Sequence, residues 1–138
     1  RQRLLFKEMD RAALAGAMSG VEGTIVAIQR SATPGEVAEF SEMLGRPVLD
    51  LSCVNDDLED MLALAGLLDR YVAVSNTLVH LRTACGRHSD VLIPVPADFR
   101  WMSTGARSPW FPGTRVYRQG IDGEWGAALS ALSQALAA

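Results

Sequence analysis

The sequence predicts a single α/β domain built on a doubly wound parallel sheet with helices on both faces. Short apolar runs alternate with amphipathic stretches along all 138 residues, and turn or cap residues separate them. This alternation favours parallel strands joined by right-handed crossovers. The chain is long enough for one domain with its own core, and 49% hydrophobic with 21% charged residues is a globular composition.

Two helices and one strand are expected before residue 46. Asp10 is a suitable N-cap for a helix that ends near residue 20, and the β-formers at 23–28 predict the first strand. Pro34 sits where a second helix can start, and Gly45 can end it. Its expected buried face consists of Val37, Phe40, Met43 and Leu44.

A second strand, 47–51, precedes the helix with the clearest start signal. Asn55 or Asp56 together with Glu59 forms a capping box. The acidic residues there suit the helix dipole, and no His or Cys joins them, so we interpret them as a cap and not as a metal site. The expected buried stripe of this helix is Leu58, Met61, Leu62, Ala65 and Leu68.

The most informative stretch is 71–86, which predicts a buried strand at 71–75 that turns directly into a helix at 76–85. Ser75 and Asn76 stand at the junction, and both are good N-cap residues. A helix N-terminus at the carboxyl edge of a parallel sheet offers unpaired N–H donors and a partial positive charge. The junction therefore predicts a phosphate site, and the alternative is an ordinary capped helix.

The last third predicts a strand, a long aromatic loop, a further strand and a helix. The strand at 90–95 is followed by residues 97–113, which are aromatic and without period, as in functional loops or packed lids. A short strand at 114–118 follows. The closing amphipathic helix carries Trp125, Leu129, Leu132 and Leu136.

The charge distribution is uneven. Residues 36–69 hold nine acidic residues against Arg46, whereas residues 70–119 hold seven arginines against Asp90 and Asp98. A locally positive second half favours a phosphorylated ligand. Because the whole chain is acidic and lacks a basic aromatic motif, we expect no nucleic-acid partner.

The cysteines and the apolar runs set the expected compartment. Cys53 and Cys85 are too isolated for a disulfide framework or a zinc site, and we expect buried free thiols. No apolar run approaches the roughly 20 residues of a membrane span, and no signal-peptide pattern is present. These features predict a cytoplasmic protein. The first residue, Arg1, suggests a fragment of a longer chain.

A series of short motifs follows one another in a specific order. They are Val-Ser-Asn-Thr-Leu-Val-His-Leu at 74–81, Val-Leu-Ile-Pro at 91–94, Phe-Arg-Trp-Met at 99–102, Ser-Pro-Trp-Phe-Pro at 108–112, Val-Tyr-Arg-Gln at 116–119 and Trp125. In this order, residues 6–136 resemble the C-terminal half of heptosyltransferase-like glycosyltransferases, of the bacterial type attached to tetratricopeptide repeats.

The resemblance implies one half of a two-domain GT-B architecture, a Rossmann-like domain that binds a nucleotide-sugar donor. It implies that the acceptor site and the catalytic base lie on a missing N-terminal half, so the catalytic residues of this chain are unknown. The isolated chain is then expected to bind donor without transferring sugar. Neither a metal nor another cofactor is implied.

The resemblance also implies site residues. The Asp-Thr-Gly or Asp-Thr-Ala of the family falls on Ser75, Asn76 and Thr77, so the family acid is missing, and the family histidine falls on His80. Lys7, the only lysine, stands where related enzymes carry a basic residue facing the donor phosphates. The alternatives are a structural hydrogen bond for His80 and a solvated Lys7.

Four further residues are candidates for lining the donor cleft. Gln29 and Arg30 end the first strand at the same sheet edge as Ser75, and Arg100 stands beside Trp101 in the aromatic loop. The alternative for Trp101 is to anchor that loop to the core.

Two classes of function follow from the sequence. The first is the donor half of a glycosyltransferase, which stabilises a leaving nucleotide diphosphate through amides and basic residues. The second is a binding or protein-interaction module that kept the fold after losing catalysis. Ser75 in place of the family acid favours the second class, and the retained order of Asn76, Thr77 and His80 favours the first.

Overall fold

A computed structural model describes residues 9–138, which form a mixed α/β structure in which parallel strand pairing dominates. In chain order its elements are α1 Arg11–Met18, β1 Ile25–Ala27, α2 Glu36–Leu44, β2 Val48–Asp50, α3 Leu58–Leu67, β3 Val72–Val74, α4 Thr77–Ala84, β4 Asp90–Ile93, β5 Arg107–Ser108, β6 Phe111–Arg118 and α5 Gly126–Ala137. Two short 3-10 turns, Ser52–Asp56 and Phe99–Trp101, lie in the connections.

The strands form two hydrogen-bonded sheets. β1 pairs with β2 in parallel, and the second sheet has the order β3-β4-β6-β5, in which only β5 is antiparallel. Parallel pairing is thus confirmed, but the expectation that one sheet holds all four predicted strands is wrong. The prediction of a buried strand at 71–75 also needs correction, because β3 lies at the edge of its sheet and its three residues are half-buried. The chain leaves β1 after three residues, and the Gln29 amide donates to Ser52 Oγ instead of to a neighbouring strand.

Helices cover both faces of the second sheet. Along β4 the side chains alternate: Val91 and Ile93 pack in a cluster with α3 and α4, whereas Leu92 packs in a cluster with α5. A third cluster joins α1, β1 and α2 through Ala15, Ile25 and Leu44.

Several local expectations need correction. The side chain that caps α3 is Asp57, whose Oδ1 accepts from the Glu59 and Asp60 amides at 2.8 and 3.1 Å. Asn55 instead donates to the Ser52 carbonyl, which closes the 3-10 turn before the helix. Three of the predicted buried residues are exposed: Met43, Leu58 and Leu62.

Both cysteines are free, as expected, but they are exposed and not buried. Cys53 lies in a surface turn and Cys85 directly follows α4, so neither position faces a core cluster. The predicted aromatic loop is also shorter than expected. β6 begins at Phe111 because Phe111 pairs with Ser108 of β5.

One buried cation joins α3, α4 and the loop before β4. The Arg82 side chain is 1% exposed, and its guanidinium donates to the carbonyls of Ala65, Leu68 and His88 at 2.6 to 3.1 Å. It also lies 5.8 Å from the centre of the Tyr71 ring. Burial lowers the pKa of Arg82, yet an arginine remains charged at any ordinary pH.

We expect Arg82→Met to lower the free energy of unfolding by about 3 kcal/mol or more, because three buried carbonyls lose their donor and each costs about 1–3 kcal/mol. Chemical denaturation followed by tryptophan fluorescence measures the loss. Arg87→Met, which removes the same charge from an exposed position, is the control. Equal stability of the two variants would contradict the structural role of Arg82.

Both tyrosines of the chain are expected to ionise late. Burial raises the pKa of Tyr71 to about 12, and burial with the hydrogen bond to Asp90 raises the pKa of Tyr117 to about 12. An unfolded tyrosine ionises at a pH of about 10. The free energy of unfolding should therefore be constant below about pH 10 and fall as the pH rises towards the folded-state pKa of about 12. A phenolate absorbance titration with its midpoint at the unfolded value, in still folded protein, would contradict this assignment.

Candidate functional site

A cavity of about 940 Å³ opens where β1 and β2 end. Its walls come from the two loops that follow these strands, and α2 forms one side. The lining includes residues 29–35 together with Asp50, Ser52, Asn55 and Asp56. The carboxyl ends of parallel strands are where α/β sheets bind ligands, and this volume lies within the usual range for small-molecule sites.

Hydrogen bonds between the two loops hold the cavity floor. The Gln29 amide donates to Ser52 Oγ at 3.0 Å, and the Ser52 amide donates to Asp50 Oδ1 at 2.9 Å. Hydrogen bonds from Ser52 lower the pKa of Asp50, so this exposed carboxylate is charged at neutral pH. Arg30, on the loop after β1, also lines the cavity and is exposed. The cavity therefore offers a cation on one loop and carboxylates on the other.

Hydrogen bonds between neighbouring residues stabilise the first turn of α2. The Glu36 carboxylate accepts from the Thr33 amide and hydroxyl at 2.9 and 3.1 Å, and these bonds lower the pKa of Glu36. Gly35 precedes the helix at φ +85°, a conformation that glycine adopts without strain. This turn fixes the entrance of the cavity beside Arg30.

At the predicted strand-to-helix junction, Asn76 caps α4. Its Oδ1 accepts from the Val79 amide at 3.3 Å, and its side-chain amide contacts the Tyr71 hydroxyl at 3.0 Å. The first amides of a helix have no partner within it, and the Asn76 side chain pairs one of them. Thr77, the first residue of the helix, is exposed. The N-cap prediction for Asn76 is confirmed.

Ser75 and Trp101 meet inside the core. Ser75 is 6% exposed and Trp101 is 1% exposed, and Trp101 Nε1 donates to Ser75 Oγ at 2.9 Å. The Trp101 ring also stacks on Phe111 at 4.7 Å. Trp101 therefore anchors the aromatic loop to the sheet and does not line a cleft. Ser75 is buried and holds the junction between β3 and α4 through this hydrogen bond.

His80 and Arg100 form the second contact between α4 and the loop. An Arg100 Nη atom lies 3.3 Å from His80 Nε2, and His80 packs edge-on against Phe111 at 4.7 Å. Asp98 holds Arg100 from the other side through two hydrogen bonds of 2.9 and 2.6 Å. These bonds raise the pKa of Arg100. His80 is partly buried in this arrangement.

The structure thus separates the predicted residues into two groups. Ser75, His80, Arg100 and Trp101 meet at the start of α4, whereas Gln29 and Arg30 line the cavity beyond β1. Ile28, directly before Gln29, packs on the core cluster that holds Tyr71, Leu78 and Trp101. The two groups are therefore joined through one core. Lys7 lies outside the described residues.

The sequence motifs do not predict most of the cavity, nor one ion pair. The signal for the cavity is the cluster of Ser, Thr, Pro and Gly that follows β1, since such residues after a strand are a sign of a binding loop. The ion pair joins Asp98 and Arg100. The position of Asp98 two residues before Arg100 is what allows it to hold that guanidinium.

Comparisons of the chain with models of protein families, with curated proteins and with solved structures found no match. The family resemblance therefore stays a prediction. Within residues 9–138 no helix has the length and apolar character needed to cross a membrane. The same residues contain no group of three or more His, Cys, Asp or Glu side chains that could hold a metal ion.

Asn76→Ala is expected to lower the free energy of unfolding by about 1 kcal/mol, because the Val79 amide loses its cap. Asn76→Asp keeps an acceptor oxygen and should retain most of the stability. Thermal and chemical unfolding without ligand measure both variants. Equal stability of the alanine and aspartate variants would show that the cap contributes nothing.

Proposed function

We propose that this chain is the donor-binding half of a heptosyltransferase-like glycosyltransferase with GT-B architecture. In this proposal the domain is a Rossmann-like doubly wound unit that binds a nucleotide diphosphate sugar at the carboxyl ends of its parallel strands. The nucleoside occupies the cavity beyond β1 and β2, and the diphosphate extends towards the start of α4.

The cavity is the observation that carries this proposal. It has the size of a nucleotide site, and it lies at the sheet edge where α/β proteins bind nucleotides. Arg30 supplies a cation for phosphate, and Asp50 and Asn55 supply acceptors and a donor for hydroxyl and base groups. Small polar residues in the loop after β1 allow a ligand to approach the backbone.

The start of α4 supports the diphosphate end of the proposal. The free amides of the first turn and the helix dipole stabilise an anion that grows in charge as the nucleotide leaves. Arg100 lies in the same region, where its charge is paired with Asp98 and its Nη1 atom lies beside His80. Thr77 is exposed at this turn and can donate its hydroxyl. Ser75 and Trp101 fix the position of the turn.

A protein-interaction module is the second candidate, and a specific surface favours it. Phe99 and Trp110 are 71% and 59% exposed, and their rings contact each other edge-to-face at 5.9 Å. The Arg100 guanidinium lies 5.7 Å from the Phe99 ring centre. Exposed aromatic side chains beside an arginine are typical of protein contact surfaces.

Nucleotide titration tests the proposal. Uridine, guanosine and adenosine diphosphates are titrated by calorimetry against wild type, Arg30→Ala and Lys7→Ala. Each charge-assisted phosphate contact contributes about 1.5–3 kcal/mol, so we expect each substitution to weaken binding by roughly ten- to a hundredfold. At least one of the three nucleotides should bind wild type clearly better than the others.

Arg87→Ala is the matched control, because it removes an exposed arginine from the opposite end of α4. It should bind as tightly as wild type. Equal affinity across wild type, Arg30→Ala and Lys7→Ala would contradict the assigned phosphate contacts. The absence of binding at millimolar nucleotide in folded protein would favour the interaction module.

The proposal also predicts binding without transfer. Since the catalytic base and the acceptor site are assigned to another half, the purified 138-residue chain should hydrolyse or transfer no sugar from a nucleotide sugar that it binds. Release of nucleoside diphosphate from the donor, measured by chromatography, checks this. Multiple turnover by the isolated chain would overturn the assignment of the base.

A further inference from the structure

A second, smaller cavity lies at the opposite, amino-terminal edge of the second sheet. Its volume is about 210 Å³, and it is lined by Asp69, Arg70, His88, Ser89, Asp90, Gly113 and Arg115. Asp90 begins β4 and pairs in register with Arg115 of β6. This cavity is thus separated by the length of the strands from the proposed nucleotide site.

A buried carboxylate organises the cavity. Asp90 is 3% exposed, and Oδ2 accepts from the Arg70 guanidinium at 3.0 Å. Asp90 Oδ1 lies 2.9 Å from Arg115 Nε and accepts from the Tyr117 hydroxyl at 2.9 Å. Two arginines therefore face one buried carboxylate. The charge that remains is positive at this point, and the exposed Asp69 at the rim balances part of it.

Both arginines are held with their guanidinium groups partly open to solvent. The side chains of Arg70 and Arg115 are 40% and 48% exposed, whereas Asp90 is enclosed. Arg70 also donates to the Ala135 carbonyl at 3.2 Å, which fixes its position. Arg115 approaches Asp90 through Nε, and its side chain is 48% exposed. A guanidinium held in this way can present Nη groups to a ligand in the fork geometry that suits oxyanions.

Ser89 is the observation that points to a ligand. Its side chain is 3% exposed, it lines the cavity, and its Oγ has no hydrogen-bond partner among the described residues. A buried hydroxyl without a partner destabilises the folded state. Such a cost is recovered when a bound group accepts its hydrogen bond.

The backbone around Ser89 is fixed before any ligand arrives. The Ser89 carbonyl accepts from the Arg115 amide at 2.9 Å, and the preceding His88 carbonyl accepts two hydrogen bonds from Arg82. The His88 ring lies over Gly113, where an added Cβ would come within 2.3 Å of it. The backbone of this wall is therefore held in place, and the enclosed Ser89 Oγ reaches a ligand by rotation of its side chain towards the cavity.

We propose that this cavity binds a phosphoryl group, either as inorganic phosphate or as a phosphomonoester, between Arg115 and the Ser89 hydroxyl. Arg115 Nη donates to two oxygens and Ser89 Oγ donates to a third. Arg70 contributes charge from the other side of Asp90. The volume of the cavity leaves room for a phosphate and for the first atoms of an ester.

The test measures thermal unfolding by tryptophan fluorescence in sodium phosphate and in sodium chloride of equal ionic strength. Phosphate should raise the melting temperature of wild type above its value in chloride, since a ligand that binds only the folded state stabilises it. Ser89→Ala should lower the phosphate affinity about tenfold or more. In chloride it should melt at or above the wild-type temperature, because it removes an unpaired buried hydroxyl.

Arg115→Gln should also lose the phosphate effect, and Arg87→Gln, which is exposed and outside the cavity, should keep it. Phosphate and glycerol 3-phosphate are compared by calorimetry: tighter binding of the ester assigns the site to a phosphomonoester, and equal binding assigns it to the free ion. An unchanged phosphate effect in Ser89→Ala would overturn the proposal. If Arg30→Ala alone abolished the rise in melting temperature, phosphate would bind in the larger cavity instead, and this result would also overturn the proposal.

Discussion

The arrangement of the second sheet and its helices depends on one buried guanidinium. Arg82 lies in the last turn of α4 and donates to carbonyls at the end of α3 and in the loop before β4. The last carbonyls of a helix have no hydrogen-bond donors within that helix. Here an arginine from the next helix donates to them. The same bonds hold His88, so the loop that leads into β4 is fixed by the packing of α3 against α4.

Side-chain contacts also hold both edges of the second sheet. At the carboxyl edge, Trp101 donates to Ser75, and Phe111 packs against Trp101 and His80. At the amino edge, the Asp90 carboxylate contacts Arg70, Arg115 and Tyr117. Both sets rest on β4, whose four residues are all buried. Buried polar groups at the ends of such a strand need hydrogen-bond partners. Each partner belongs to another segment of the chain, which is thereby attached to the strand.

Much of the fold could be predicted because local chemistry decides it. Asp10 and Asn76 cap their helices as expected, and Gly45 ends α2 with φ +73°. The separation into two sheets could not be predicted, since local patterns predict strands but not which strands pair, and β1 pairs only with β2 among the described strands. The cap of α3 was misplaced for a related reason: three neighbouring residues can all cap, and only the 3-10 turn at Ser52–Asp56 leaves Asp57 in position.

A cavity at the carboxyl ends of the strands could be expected from the sequence, but the partners of the side chains around Ser75 could not. The carboxyl ends of the strands do carry the larger cavity, and Gln29 and Arg30 do line it. The side chains around Ser75 bind one another, however, and tertiary pairs of this kind leave no trace in local sequence patterns. Trp101 was equally able to stack on a ligand or to enter the core, and only its hydrogen bond to Ser75 distinguishes the two.

The charges around the larger cavity constrain how a nucleotide can lie in it. Asp50 is ionised and faces the cavity from the β2 side, and Asp56 lies nearby, so a phosphate at that wall would be repelled. Hydroxyl groups of a ribose are suitable donors to the same carboxylates. Arg30 stands on the opposite loop, after β1, whose last apolar residue, Ile28, packs on the core that supports α4. A nucleotide bound as proposed would therefore satisfy both walls only with its ribose towards β2 and its phosphates towards Arg30 and the start of α4.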